Sequence, residues 1–186
     1  MTTTTMKTTK TETELEILPK NPFIFEILTL ASKQRSKAKK VEVLKTYEHD
    51  SLKAILIWNF DESLISLLPE GDVPFFGDDD LKALSMSEKI EDAVKKLNGS
   101  SIGAIDRRYS TIRKEYTKFY NFIKGGNDSL NGIRRENIFI NLLEGLHPLE
   151  AEIICLCKDK NLESRYKINK EIVSEAYPDI VWGNRV

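Results

Sequence analysis

Cysteine and histidine are scarce in this sequence. Only 2 cysteines stand among 186 residues, and they sit two apart, at Cys155 and Cys157. That is too few and too close for a disulfide framework, and it fits a reducing compartment. The 2 histidines, His49 and His147, have no Cys or His partner at metal-ligand spacing. Long apolar runs are missing: none approaches the roughly 18 residues that a membrane-spanning helix needs. The N-terminal residues 1–10 are threonine and lysine without an apolar stretch, so no secretory signal is expected there. Neither a Gly-rich loop closing on Gly-Lys-Ser/Thr nor a Gly-x-Gly-x-x-Gly turn occurs, which removes the common nucleotide-binding signatures. A surplus of one charge is absent too. With 28 Lys+Arg against 29 Asp+Glu the net is −1, and no global pull toward nucleic acid or anionic membrane follows.

What is present is a globular composition, 40% hydrophobic and 31% charged, enough for one ordinary core or two small helical lobes. Residues 1–20 read as a disordered Thr-rich tail with almost nothing to bury. Asn21-Pro22 then offers an N-cap and first-turn proline ahead of Phe23, Ile24, Ile27, Leu28 and Leu30. Ser36 caps a second expected helix, and Asp50-Ser51 a third carrying Leu52, Ile55, Leu56 and Trp58. A short helix is expected over 61–67. From 67 to 80 two prolines and two glycines exclude regular helix, yet Leu67, Leu68, Val73, Phe75 and Phe76 are apolar. The stretch reads as an ordered loop pinned to a core. Helix resumes over about 80–97 and ends at Asn98-Gly99, with NGSSIG as the internal linker.

The cleanest expected element is a helix over 106–124. Tyr109, Ile112, Tyr116, Phe119, Tyr120 and Ile123 recur at three- and four-residue steps and make one buried stripe, with Arg107, Lys114 and Lys118 opposite. Gly125-Gly126 stops it, and Asp128 or Asn131 caps the next helix, over 133–143. That helix is apolar almost all round and reads as central. His147-Pro148 opens another through 158 with Leu149, Ile153, Leu156 and Cys157 inward. A last helix runs 169–177, closed by Pro178. No period-2 alternation with hairpin turns is found. The fold class read from this is all-α: a compact domain of seven to nine short helices with an ordered Pro/Gly loop. It divides into an N-terminal helical unit, 21–97, and a C-terminal one, 98–186, packed on it.

Charge is blocked along the chain. Residues 54–92 hold 10 acidic against 2 basic side chains, and residues 95–135 hold 10 basic against 3 acidic. The plain reading is that the blocks neutralise each other across the surface. The sharper one makes Arg107, Lys114 and Lys118, with Arg113, Lys124, Arg134 and Arg135, a phosphate-tracking face. The aromatics of that helix do not help, because they lie on the buried stripe rather than beside the cations.

No constellation marks an enzyme. Cys155 and Cys157 on a helix point about 200° apart and do not share a ligand. Asp78, Asp79 and Asp80 resemble part of a metal-dependent nuclease site, but in a loop beside glycine they read as solvated charge. Nothing identifies a nucleophile, and no metal or cofactor is expected.

Two further stretches stand out: Leu67-Leu68-Pro69-Glu70-Gly71-Asp72-Val73-Pro74, and Leu143-Glu144-Gly145-Leu146-His147-Pro148-Leu149-Glu150-Ala151-Glu152. With Phe122-Ile123-Lys124-Gly125-Gly126-Asn127, Lys158-Asp159-Lys160 and Tyr177-Pro178, they resemble an uncharacterised family of large contractile-tailed, myovirus-type bacteriophages. The resemblance covers the chain from about residue 27 onward. The stretch 76–101 is longer than in shorter relatives, and the Thr-rich tail is peculiar to this chain. The resemblance implies a phage origin and a host bacterial cytoplasm, and no reaction. The functional expectation is a non-enzymatic interaction protein that binds a phage or host protein through Leu68, Val73, Phe75 and Phe76. The alternative is a nucleic-acid-binding accessory protein using Arg107, Lys114 and Lys118. No membrane role is expected.

Overall fold

The computed structural model describes residues 17–73 and 109–184, together with Glu88, Glu91, Asp92 and Lys95. Eight α-helices lie among the described residues. They are α1 (Ile24–Lys33), α2 (Lys37–Thr46), α3 (Asp50–Phe60), α4 (Ile112–Glu115), α5 (Gly132–Gly145), α6 (Pro148–Lys158), α7 (Leu162–Tyr166) and α8 (Lys170–Ala176). A 3₁₀ helix, Tyr116–Phe122, continues directly from α4. Extended pairing among the described residues is limited to two isolated bridges, Ser66 with Ile123 and Ser110 with Leu146. The fold is all-α.

Helix starts follow local chemistry where a short polar side chain is on hand. Ser36 accepts from Lys39 N to open α2, Asn131 from Arg134 N to open α5, and Asn169 from Ile172 N to open α8. Two expected caps differ. Asn21-Pro22 does not start α1, whose N-cap is Phe23; the Phe23 N–H is taken by the Glu26 carboxylate at 2.8 Å. His49, rather than the expected Asp50-Ser51, caps α3 by accepting from Ser51 N at 3.1 Å.

The core is one continuous cluster running from Ile24 to Ile180. Its centre is α6, which packs on α1, α3, α5 and α7 and buries Ala151, Ile153, Ile154 and Cys157. The sequence favoured 133–143 as the central helix. In the structure α5 buries Phe139, Leu142 and Leu143 on one side while Ile133 is 77% exposed, so it is an edge helix.

The helix expected over 61–67 does not form. The Asp61 carboxylate accepts from Ser63 N and Ser63 Oγ, at 3.0 and 2.7 Å, and closes a turn instead. Beyond it Leu67 N donates to Phe122 O and Lys124 N to Ile65 O, at 2.8 and 2.9 Å. That pairing explains a second correction. The expected long helix over 106–124 is the four-residue α4, the 3₁₀ helix and then extended Ile123. Three residues per turn bring Tyr116, Phe119 and Phe122 to one side. Phe119 and Phe122 are buried, whereas Tyr120 is 52% exposed and Tyr109 38%; Tyr116 and Ile123 are half-buried. Trp58 holds this 3₁₀ turn, its ring 5.1 Å from Phe119 and 6.2 Å from Phe122. Helix α7 is absent from the sequence reading although Asn161, a cap-type residue, precedes it; that side chain makes no cap bond. Of the helix expected over 80–97, Glu88, Glu91, Asp92 and Lys95 are helical and the rest lies outside the described residues, as do the NGSSIG linker and the tail to residue 16.

Candidate functional site: a groove beside the Leu-Pro-Glu-Gly loop

A groove of about 590 Å³ lies on the outer side of α6. Val73, Cys155 and Leu156 give it apolar surface, and Asp72, Glu152, Asp159 and Arg165 stand around them, with Gly71, Asn161, Glu91 and Lys95 completing the lining. Its position follows from the periodicity of α6. Ile153, Ile154 and Cys157 face the core, which leaves Cys155 and Leu156 half-buried on the other flank.

One wall is the loop that the sequence singled out. Leu68 is buried and enters the core; Glu70, Gly71 and Asp72 are exposed; Val73 is half-buried at the groove. The loop turns at Gly71, whose φ of +84° favours glycine. Lys158, at the end of α6, reaches under it. Its ammonium donates to Pro69 O at 2.8 Å, Gly71 O at 2.9 Å and Asp159 Oδ1 at 2.5 Å. The side chain is only 1% exposed. Two residues on, Lys160 donates to Trp58 O and Asp61 O, at 2.8 and 2.6 Å, and closes the end of α3. The Lys-Asp-Lys motif is therefore a double clamp on carbonyl oxygens.

The groove holds little reactive chemistry. Burial pushes the Cys155 thiol up to about 12, so it stays protonated at neutral pH. Arg165 Nε pairs with Glu152 at 3.1 Å, and Asp159 is engaged by Lys158. No group of three or more His, Cys, Asp or Glu among the described residues can hold a metal ion.

The second family-like stretch makes a corner rather than a pocket. His147 caps α6, its Nδ1 accepting from Leu149 N at 3.2 Å, and its ring stacks 4.9 Å from Phe25 and meets Tyr109 edge-on at 5.8 Å. Burial holds this imidazole down to about 4. Glu150 is fully buried, and its carboxylate accepts from Phe25 N at 3.3 Å and Ile112 N at 2.8 Å, tying the starts of α1 and α4 together. Burial raises it to about 7, against those N–H bonds and the nearby Arg113. By sequence Glu150 reads as a first-turn acid favouring its own helix. No local pattern shows that its partners lie 125 and 38 residues away.

The basic face is dispersed. Arg107 lies outside the described residues. Arg135 is buried and bonds the carbonyls of Asn121, Asn127 and Leu130, shaping the loop that holds Gly125 and Gly126. Arg113 Nε is committed to Pro22 O at 2.7 Å. Lys118 pairs with Glu115 at 2.5 Å beside a smaller cavity of about 250 Å³, floored by Phe122 and Leu142. Lys114, Lys124 and Arg134 remain exposed. Of the residues expected to meet a protein, Leu68 is a core residue, Val73 lines the groove, and Phe75 and Phe76 lie outside the described residues. The sequence did not single out Lys158, Cys155 or Arg165 as site residues; they come together only through the packing of α6 against α7 and the loop.

No helix among the described residues is long and apolar enough to cross a membrane. A family model described as a family of unknown function (DUF6433) matches residues 27–103 and 100–164. No curated protein and no solved structure matches the chain.

Proposed function

Because the chain belongs to the DUF6433 family, which brings no reaction with it, we propose its role from geometry: a non-enzymatic interaction protein that receives a segment of a partner protein in the groove between the 69–73 loop, α6 and α7. The supporting observation is the groove itself, apolar at Val73, Cys155 and Leu156 and ringed by charges. Because Glu152 and Asp159 already have partners within the chain, the occupant is a segment offering apolar side chains rather than a strongly charged one. A phage or host protein in the bacterial cytoplasm is the partner that the likeness to phage proteins implies. Catalysis has no support in a groove whose thiol is protonated.

Affinity capture from phage-infected cells tests this, with the intact chain compared against a folded Val73→Asp variant. The intact chain is expected to retain a specific protein that the variant loses. That retention should change little between about 0.05 and 0.5 M salt, since apolar contact is not screened as charge pairing is. Identical captures by the two chains remove the groove as the contact. The nucleic-acid reading is weakened where Arg113, Lys118 and Arg135 are occupied within the chain, and it rests on the exposed Lys114, Lys124 and Arg134.

A further inference from the structure

We propose that Lys158 is the positioning residue of the groove: its ammonium, by gripping the carbonyls of Pro69 and Gly71, keeps segment 69–73 in place as the groove wall. The inference rests on the groove being the functional site, and it names what controls that site's shape.

Packing holds the two ends of the loop: Leu68 is buried and Val73 lies half-buried against the core. Glu70, Gly71 and Asp72 between them are exposed and contribute no apolar packing. Val73 N donates to the neighbouring Asp72 carboxylate at 3.0 Å, a contact within the loop. Across this exposed span Lys158 ties the backbone to α6 through two carbonyls, 2.8 and 2.9 Å from its nitrogen. An ammonium is suited to this. It has three donors, and here they meet two carbonyls and the Asp159 carboxylate. A buried charge with its donors satisfied is costly to strand, so the loop and the lysine hold each other. Two motifs that stand apart in sequence, Leu-Pro-Glu-Gly and Lys-Asp-Lys, thereby act as the two halves of one device. The hairpin-like turn at Gly71, φ +84°, is what aims both carbonyls at one point.

Cys155 reports on this wall from within the groove, and Cys157, fully buried in the core, is an internal reference. The full-length protein is treated with N-ethylmaleimide, and each cysteine's alkylation rate is followed by peptide mass. Lys158→Met is expected to label Cys155 about tenfold faster than the parent, the scale set by losing hydrogen bonds to a charged group, with Cys157 unchanged. Lys158→Arg, which keeps a cationic donor, is expected to restore the parent rate. Loss of the Lys158 charge by itself raises the Cys155 thiol's pKa and slows alkylation, so acceleration reports access rather than acidity. An unchanged Cys155 rate in Lys158→Met overturns the proposal. So does equal acceleration of both cysteines, which marks Lys158 as a support of the whole fold. Should Lys158→Met not fold, Gly71→Ala serves in its place: a Cβ there meets nothing within 4 Å, so only the turn is strained. A severalfold faster Cys155 is then expected, and an unchanged rate overturns the clamp. If Val73→Asp keeps every captured partner while Lys158→Met opens Cys155, the docking reading fails and the clamp stands. Partner loss in Val73→Asp with no change at Cys155 gives the converse.

Discussion

Glu150 shows how far a residue's role can depart from its local reading. Two residues into α6, it has the position of an acid favouring its own helix dipole. Folding places it instead at the starts of α1 and α4. The effect on stability has a definite sign. With its carboxyl raised from 4.5 to about 7, the folded protein holds this proton more tightly than the unfolded chain does. Its contribution is complete below pH 4.5 and is lost as pH rises through 7. His147 acts oppositely. Lowered from 6.5 to about 4, its contribution is present above pH 6.5 and lost as pH falls through 4. Urea unfolding is therefore expected to show stability rising on acidification from pH 8 toward 6 and falling again near pH 4. Glu150→Gln should flatten the neutral limb, worth about 1 kcal/mol between pH 8 and 6. His147→Asn, which keeps a cap acceptor, should flatten the acid limb. A parent protein equally stable at pH 8 and 6 contradicts the role assigned to Glu150.

Among elements, those with short polar caps and apolar periodicity were legible: α2 from Ser36, α5 from Asn131, α8 from Asn169. The 3₁₀ helix was not, because Tyr116, Phe119 and Phe122 sit three apart, a spacing that α and 3₁₀ repeats share over two turns. What selects the tighter repeat is Trp58 on one side and the pairing of Leu67 with Phe122 and Ile65 with Lys124 on the other, both supplied by distant chain. Glycine substitutions separate local from tertiary demands. A Cβ on Gly126 falls 2.0 Å from Tyr120 O, a backbone atom with little room to yield. Gly126→Ala is expected to cost about 2 kcal/mol, on the scale of an overpacked site. Gly132→Ala, where nothing lies within 4 Å, should be neutral or stabilise α5 by a few tenths of a kcal/mol. Thermal melts of the two variants check the contrast, and equal shifts refute it.

At the scale of the whole molecule, α6 organises the fold, since it contacts α1, α3, α5 and α7 from one central position. Ile153, fully buried on it, should cost about 2–5 kcal/mol when cut to alanine. Because one core spans both halves of the chain, calorimetry is expected to show a single cooperative transition for both the parent and Ile153→Ala; two resolved transitions would mean that the halves fold apart. The sequence by itself determined the all-α class, the starts of α2, α5, α6 and α8, and the Pro/Gly loop, because caps, prolines and apolar spacing act within a few residues. Tertiary structure alone decided which helix is central, which cations are spent on carbonyls and where the groove lies. Those outcomes depend on Lys158 meeting Pro69 and Gly71, Arg135 meeting Asn121 and Glu150 meeting Phe25. A buried charge takes whatever donor or acceptor the packed chain brings to it, and local sequence holds no record of which that is.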